Sequence, residues 1–351
     1  MNFEFRQRKI KPSIIALSIC IGLVLGTVFV LLGGYNVLEV YAYLIRGSLG
    51  SISALSSTVR WTTAFLLCGI ASGIAFKGGM FNMGTEGQLY MGAISATLVG
   101  IYCKGLPAAV HIPLCILAGM AAGAVWASVP ALLRVYWNTN EIVVTLMMNY
   151  IAINFTSFLV KEYFLTTGIF GDSLTTDELQ ASARFPVFGD SPLSFGFVLG
   201  SVLIVAYILF FNKSKRGFEI KVSGVNPDFA RFSGISVNKV RISVMLMSGM
   251  IAGLAGAAEI MGVQGRFLSG FSPDFGTSGM LVALLGNSSG IGIYISAIFM
   301  GILKAGSLTL ERSAGVSRAL AVVIQALIIC FVSVKTLNVF NFRKKEGSDE
   351  E

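Results

Sequence analysis

Long apolar runs separated by short polar segments make up most of this chain. Residues 13–32, 112–133 and 142–160 carry no charged side chain, and each run is about 19–22 residues long. A helix needs about 20 apolar residues to cross the hydrocarbon core of a bilayer. The pattern therefore predicts an all-α polytopic membrane protein.

The same pattern along the rest of the chain predicts about ten transmembrane helices, some of them broken. We place them at residues 12–33, 58–76, 86–103, 109–133, 141–160, 194–212, 240–263, 277–286, 290–310 and 316–336. The eighth is too short to cross alone and is predicted to be half of a broken element. Residues 1–351 are expected to form a single transmembrane domain, with 161–193 and 213–240 as its largest non-membrane pieces.

Charged residues are sparse and unevenly distributed. They make up 13% of the chain, with a mean hydropathy of +0.77, whereas soluble domains carry about a quarter. Bases precede the first span, fill the segment 213–241 and follow the last span, and residues 161–193 are acidic. This positive-inside pattern predicts cytoplasmic termini, a cytoplasmic 213–240 segment and an external 161–193 loop. It also accounts for the net charge of +8 without nucleic acid.

The residue types that carry catalysis or bind metals are nearly missing from the sequence. The five cysteines stand singly, without Cys-x-x-Cys spacing, and His111 is the single histidine. There is no phosphate-binding loop, and a Ser/His/Asp set is not expected from a histidine at a span end. The sequence therefore predicts no catalytic residue and no metal site.

A polar, glycine-rich segment at residues 76–89 interrupts two apolar runs. A carboxylate there is costly to insert into hydrocarbon, and the glycines prevent a continuous helix. Irregular backbone at membrane depth is tolerated only where protein covers it or a wet cavity bathes it. The segment therefore points to a transport pathway, with Asn82, Thr85, Glu86 and Gln88 as candidate residues.

A polar stripe on the span 141–160 adds to these candidates. Its members follow helical i+3 and i+4 spacing and are Glu141, Thr145, Asn149, Ala152 and Thr156. Lipid cannot satisfy such groups, so the stripe must face protein or a water-filled path. We assign Thr145 and Asn149 to the pathway, and leave packing and pathway lining open for Thr156.

Two short motifs resemble each other within the chain. Gly84-Thr-Glu-Gly-Gln-Leu89 is echoed by Gly276-Thr-Ser-Gly-Met-Leu281, in which Ser278 stands where a strict repeat would have a carboxylate. The predicted topology places the copies after helices of opposite direction, which indicates an inverted internal repeat with a site between discontinuous helices. Glycine pairs four residues apart, such as Gly119/Gly123 and Gly249/Gly253, predict closely packed helices, for which contacts within one subunit suffice.

The basic segment contains a short helix signal. Asn226 and Pro227 are typical of a helix start, and Gly234 of its end. Phe229, Ala230 and Phe232 on this helix suit docking into a groove of a soluble partner. A helix lying on the inner leaflet, with its bases toward anionic headgroups, is the open alternative.

Three stretches resemble permease subunits of bacterial ABC importers, in the branch that handles nucleosides and related simple-sugar solutes. The first two are Phe81-Asn-Met-Gly-Thr-Glu-Gly-Gln88 and Asn140-Glu-Ile-Val-Val-Thr-Leu-Met-Met-Asn-Tyr-Ile151. The third, residues 224–235, is similar to the family's coupling segment, which contacts the ATPase. On this similarity the coupling residues would be Gly224, Asn226, Phe229, Ala230, Arg231, Gly234 and Ile235.

The resemblance implies a permease of the bacterial plasma (inner) membrane that imports nucleosides by alternating access. The chain would not be an enzyme and would hold no cofactor, because ATP and magnesium would bind to a partner. The implied partners are a second permease in a heterodimer, a cytosolic ABC ATPase and an external solute-binding lipoprotein, besides membrane lipid.

Two other classes compete with the importer. An ion-coupled secondary transporter of small polar solutes would also use broken helices. However, it gives the 226–234 helix no purpose, and the spans contain few carboxylates for a proton relay. A membrane enzyme would need the catalytic residues that the sequence does not offer.

Overall fold

The computed structural model describes residues 34–166, 174–186 and 194–313, together with positions 27, 30–32, 323 and 326. In this part of the chain the regular structure is helical, apart from one isolated bridge between Thr175 and Leu268. The helices are α1 (Val37–Leu49), α2 (Ile52–Lys77), α3 (Thr85–Tyr102), α4 (Ala108–Trp137), α5 (Glu141–Leu159), α6 (Phe195–Lys213), α7 (Lys215–Val225), α8 (Pro227–Phe232), α9 (Val237–Glu259), α10 (Phe275–Leu285) and α11 (Gly290–Ser313). The predicted all-α class is confirmed.

Among the described helices, six are long and apolar enough to cross a membrane. They are α2, α4, α6, α11 and, with the π-helical turns Val160–Phe164 and Ile260–Gln264 that extend them, α5 and α9. With 11 residues, α10 is too short to cross alone, as predicted for the eighth span. The chain is thus a multi-pass membrane protein. The predicted span 86–103 corresponds to α3, which is not among these six, and the predicted spans 12–33 and 316–336 lie largely outside the described residues, so the count of ten stays a prediction.

Three helices differ most from the sequence-based expectation, and one of them, α1 (Val37–Leu49), lies between the first two predicted spans, where no helix was predicted. Helix α2 begins at Ile52 rather than at residue 58, because the Ser51 hydroxyl accepts a hydrogen bond from the Ala54 N–H at 3.1 Å and starts the helix earlier. Helix α7 lies in a stretch for which no helix was predicted. Its start is capped by Ser214, whose hydroxyl accepts from the Gly217 N–H at 2.9 Å. Polar and basic residues can continue a helix when its end is capped.

The chain divides into two compact units, Thr62–Ile298 and a smaller one made of Met1–Trp61 with Phe299–Glu351. In the described part of the smaller unit, α1 packs on the last turns of α11. A Cβ added to Gly306 would lie 2.5 Å from the Leu44 carbonyl oxygen, so only glycine allows this approach. The Thr58 hydroxyl also donates to the Ser48 carbonyl at 2.8 Å, which holds the start of α2 to the end of α1.

In the larger unit, α3, α4 and α9 meet through glycine backbones. A Cβ added to Gly253 of α9 would lie 3.0 Å from the Gly119 carbonyl carbon and 3.1 Å from the Gly123 Cα. On the α3 side, Gly92 lies against the backbone of the same Gly253. No side chain fits between these helices, which confirms the close approach predicted from the glycine pairs.

We expect Gly253→Ala to destabilise the protein by about 1–3 kcal/mol, because the new methyl group must push two backbones apart. The matched control is Gly200→Ala, since a Cβ there would meet the movable end of Leu66 at 3.1 Å. Thermal unfolding of the purified variants in detergent provides the measurement. Equal unfolding temperatures for the two variants would contradict the tight backbone contact.

Candidate functional site

The segment between α2 and α3, residues 78–84, forms the irregular break that the sequence predicted. Gly79 has φ of 70°, a left-handed conformation that favours glycine, and its N–H donates to the Phe76 carbonyl at 3.1 Å. The Met80 N–H donates to the Ala75 carbonyl at 3.0 Å. These bonds satisfy the last carbonyls of α2 and turn the chain away from the helix axis.

Asn82 is the polar centre of this break and is fully buried. Its side-chain nitrogen donates to Gln88 Oε1 at 2.9 Å and to Ser248 Oγ at 2.8 Å, and its oxygen accepts from the Gly84 N–H at 2.9 Å. Ser248 in turn donates to the Ala71 carbonyl at 2.8 Å. Because every partner of a buried amide is costly to lose, the network fixes the shape of the break.

Ser248 was not among the predicted site residues. The sequence could have indicated Ser248 through its position next to Gly249, on the small-residue face of α9 that packs against α3 and α4. A polar side chain on such a face must bond to a neighbouring helix.

The polar stripe of α5 contacts the same break. The Thr145 hydroxyl accepts from the Met83 N–H at 3.2 Å. Asn149 accepts from the Gly87 N–H at 2.8 Å and donates to the Met83 carbonyl at 2.7 Å. The first N–H groups of α3 have no partner within their own helix, and α5 supplies one for Gly87. The Thr156 hydroxyl, by contrast, donates to the Ala152 carbonyl of its own helix at 2.9 Å.

Glu86 lies where the starts of two helices meet. Only 4% of the residue is exposed, and its Oε2 accepts from the N–H of Gly276, the second residue of α10, at 2.5 Å. The backbones touch as well, since a Cβ on Gly276 would lie 2.7 Å from the Glu86 Cα. A helix N-terminus carries about half a positive charge, so one carboxylate compensates two of them.

Helices α3 and α10 leave this junction in opposite directions. The rings of Phe65 and Phe275 lie 6.1 Å apart, and Val282 packs on Gly69, so α10 runs along α2 toward its Lys77 end. Helix α3 runs to the other end of the unit, where the Gln180 side chain donates to the Ile101 carbonyl at 2.8 Å. The two similar motifs, residues 84–89 and 276–281, therefore meet at the junction of Glu86 and Gly276.

The basic segment forms the short helix that was predicted. The Asn226 side chain accepts from the Phe229 N–H at 2.9 Å and starts α8, and Gly234, with φ of 80°, follows its end. Phe229 and Phe232 are 59% and 93% exposed, but Ala230 is fully buried within the chain. This corrects the expectation that Ala230 faces a partner. One residue away from Phe229 on a helix, its side chain points to another face.

Helix α7 brings this segment into contact with the break. A Cβ on Gly224, in the last turn of α7, would lie 2.9 Å from the backbone nitrogen of Gly79. A Cβ on Gly79 would lie 3.0 Å from the Gly224 Cα. The basic segment and the break thus meet backbone to backbone.

Comparison with known proteins identifies similar chains along almost the whole sequence. The profile of a family described as branched-chain amino acid transport system / permease component matches residues 54–333. The guanosine ABC transporter permease protein NupP of Bacillus subtilis is 35% identical, covering 95% of this chain and 97% of its own. The nucleoside ABC transporter permease protein NupB of Lactococcus lactis is 33% identical, covering 94% and 92%. The glucose ABC transporter permease protein TsgB13 of Haloferax volcanii is 32% identical, covering 95% and 91%.

Two weaker matches come from the first two organisms. The guanosine permease NupQ of Bacillus subtilis and the nucleoside permease NupC of Lactococcus lactis are each 25% identical to this chain. Each organism therefore has two different permeases of this type, both similar to this chain.

We expect Glu86→Ala to destabilise the protein by about 1–3 kcal/mol, since the buried Gly276 N–H loses its acceptor. Glu86→Gln should cost less, because an amide oxygen can still accept this bond. Thr97→Ala is the matched control on α3, as the Thr97 hydroxyl bonds only the Ala93 carbonyl of its own helix. Thermal unfolding in detergent measures all three. Equal losses for Glu86→Ala and Thr97→Ala would mean that the junction adds no stability.

Proposed function

This chain belongs to the permease family of the branched-chain amino acid transport system type, and from this we propose that it is the membrane subunit of an ATP-driven importer of nucleosides. The observation that carries the proposal is the near full-length similarity to two permeases named for guanosine and nucleosides, at 35% and 33% identity. A permease component is not itself an enzyme, so ATP and magnesium belong to a separate ATPase subunit. A glucose permease matches at a similar level, 32% identity, so the choice of nucleosides over sugars follows the two relatives named for guanosine and nucleosides.

The proposed topology has ten spans in a bacterial inner membrane, with both termini in the cytoplasm. The distribution of bases supports this orientation. The opposite directions of α3 and α10 support an inverted repeat, since each helix begins with one copy of the echoing motif at a shared junction. In this orientation the 213–240 segment is cytoplasmic and residues 161–193 are external.

The junction of α3 and α10 is the proposed control point of the solute pathway. The residues assigned to it are Asn82, Thr85, Glu86, Gln88, Thr145 and Asn149. In the described conformation Glu86 bonds α10, and the other five bond the break, α3 or α9, so Glu86 holds the junction closed and the others hold the break beside it. Alternating access requires helices to separate near the middle of the membrane, and the Glu86–Gly276 bond is the contact that must then break.

The proposed partners are a second permease, a cytosolic ATPase and an external solute-binding lipoprotein. The existence of two similar permeases in each of two organisms supports a heterodimer. The exposed Phe229 and Phe232 support docking of the ATPase on α8. A displacement of α8 would reach the break through the contact of Gly224 with Gly79. The other coupling residues, Asn226, Arg231, Gly234 and Ile235, shape or flank this helix.

Uptake is expected to depend on ATP hydrolysis by the partner. Proteoliposomes containing this chain alone should not accumulate nucleosides under a proton or sodium gradient, whereas the complete complex with internal ATP and magnesium should. A complex whose ATPase cannot hydrolyse ATP is the control. Robust gradient-driven uptake by the isolated chain would favour the ion-coupled secondary transporter instead.

Docking on α8 is tested by Phe232→Glu, which places a charge where an apolar groove is expected and should abolish pull-down of the ATPase. The chain itself should remain stable, since Phe232 is exposed. Ala230→Glu is unsuitable, because it would bury an unpaired charge within the permease. The comparison is a variant in which Lys221, Arg231 and Lys239 are neutralised. If α8 instead lies on the inner leaflet, this variant should be the one that is impaired. Loss of the ATPase only in that variant would contradict docking.

A further inference from the structure

Residues 174–186, which we call the strap, are fastened across one end of the larger unit. Four backbone bonds join the strap to the chain after α9, one of them from the Phe185 N–H to the Met261 carbonyl at 3.0 Å. The Thr176 N–H donates to the Phe267 carbonyl at 3.1 Å, and the Leu179 N–H to the Gly265 carbonyl at 2.9 Å. The Ser269 N–H donates to the carbonyl of residue 174 at 2.9 Å. The strap is thus positioned by backbone as well as by side chains.

Glu178 adds two ion pairs to these bonds. One carboxylate oxygen pairs with Arg266, whose side chain is only 10% exposed, and the other with Arg184 at 2.8 Å. The guanidinium of Arg184 lies over Gly265, where the left-handed backbone, with φ of 68°, and the missing Cβ leave room for it. Glu178 itself is 56% exposed, so water and salt can reach and loosen its pairs.

Three aromatic rings lie under the strap, next to the helix junction. The ring of Phe267 is 6.2 Å from that of Tyr90 and 5.4 Å from that of Phe271, and Tyr90 and Phe271 are 4.8 Å apart. All three residues are buried. Tyr90 stands one turn beyond Glu86 on α3, and Ser272, which follows Phe271, accepts from the Phe275 N–H at 3.1 Å at the start of α10, the helix that Glu86 contacts. The rings therefore separate Glu86 from the strap.

We propose that Glu178 is a positioning residue that closes a seal over the Glu86 junction. Its pair with Arg266 holds the strap on Phe267, and Phe267 holds the other two rings over Glu86. Without the two ion pairs the strap is held by its hydrogen bonds and packing alone, so it lifts more often, and the rings can then separate and expose the junction to water from that end. On the proposed function, with this end external, lifting of the strap admits the solute.

The buried thiol of Cys68 reports on this seal. Cys68 is fully buried and packs on Gly279 of α10, one turn into the helix that Glu86 contacts. The other cysteines, Cys20, Cys103, Cys115 and Cys330, would be replaced by serine. The complete complex would be placed in lipid nanodiscs, where both faces are accessible, and treated with a sulfonated methanethiosulfonate. The rate of labelling of Cys68 is measured.

Glu178→Gln should raise this rate by roughly three- to tenfold, the range that corresponds to losing ion pairs of moderate strength. Arg184→Gln removes only the more exposed pair and should raise it less. Glu178→Asp should restore most of the protection. The matched control is Asp177→Asn, since the Asp177 carboxylate accepts from the Thr166 hydroxyl at 2.5 Å and has no role in the proposed seal. It should leave the rate unchanged.

The seal is overturned if Glu178→Gln labels at the rate of the parent, or if Asp177→Asn raises the rate equally. Nucleoside uptake by the parent complex, measured separately with ATP, tests the proposed function. Labelling that follows the expected order without such uptake would support the seal and reject the importer. Uptake without any change in labelling would support the importer and reject the seal.

Discussion

A single carboxylate placed between two helix N-termini is the contact on which the centre of this protein depends. Two such ends carry partial positive charges of the same sign, and without an anion they would repel each other at the distance the structure shows. Glu86 supplies the negative charge from one helix and accepts a backbone hydrogen bond from the other. Gly276 allows the approach, because any side chain there would collide with the Glu86 backbone.

The surrounding contacts follow from the break that this junction requires. A helix interrupted at membrane depth exposes N–H and C=O groups that lipid cannot satisfy. Asn82 bonds these groups from within the break, and Thr145 and Asn149 reach them from one face of α5. The same side chains that would suit a polar pathway are therefore also those that make the interrupted helix possible. If the break moves, its N–H and C=O groups must find new hydrogen-bond partners, because lipid offers none.

The sequence predicted those features whose signals are local. The glycine-rich break, the stripe on α5, the start of α8 at Asn226 and the close glycine contacts are all encoded within a few residues or a few helical turns. It did not predict that Ser248 bonds Asn82, or that Gly276 is the partner of Glu86, since these pairs are joined by tertiary packing alone. Ala230 was misjudged because a helix of six residues carries too little pattern to tell its inner face from its outer face.

The spacing of the bonded residues along the chain also dictates an order of events during synthesis. Asn82 and Ser248 are 166 residues apart, and Glu86 and Gly276 are 190 apart. At bacterial elongation rates of about 5–20 residues per second, Glu86 emerges from the ribosome about 10–40 s before its partner. During that interval the nascent break has a carboxylate and several amides without their final partners. Asn82 and Glu86 therefore acquire these partners only after α9 and α10 have been made.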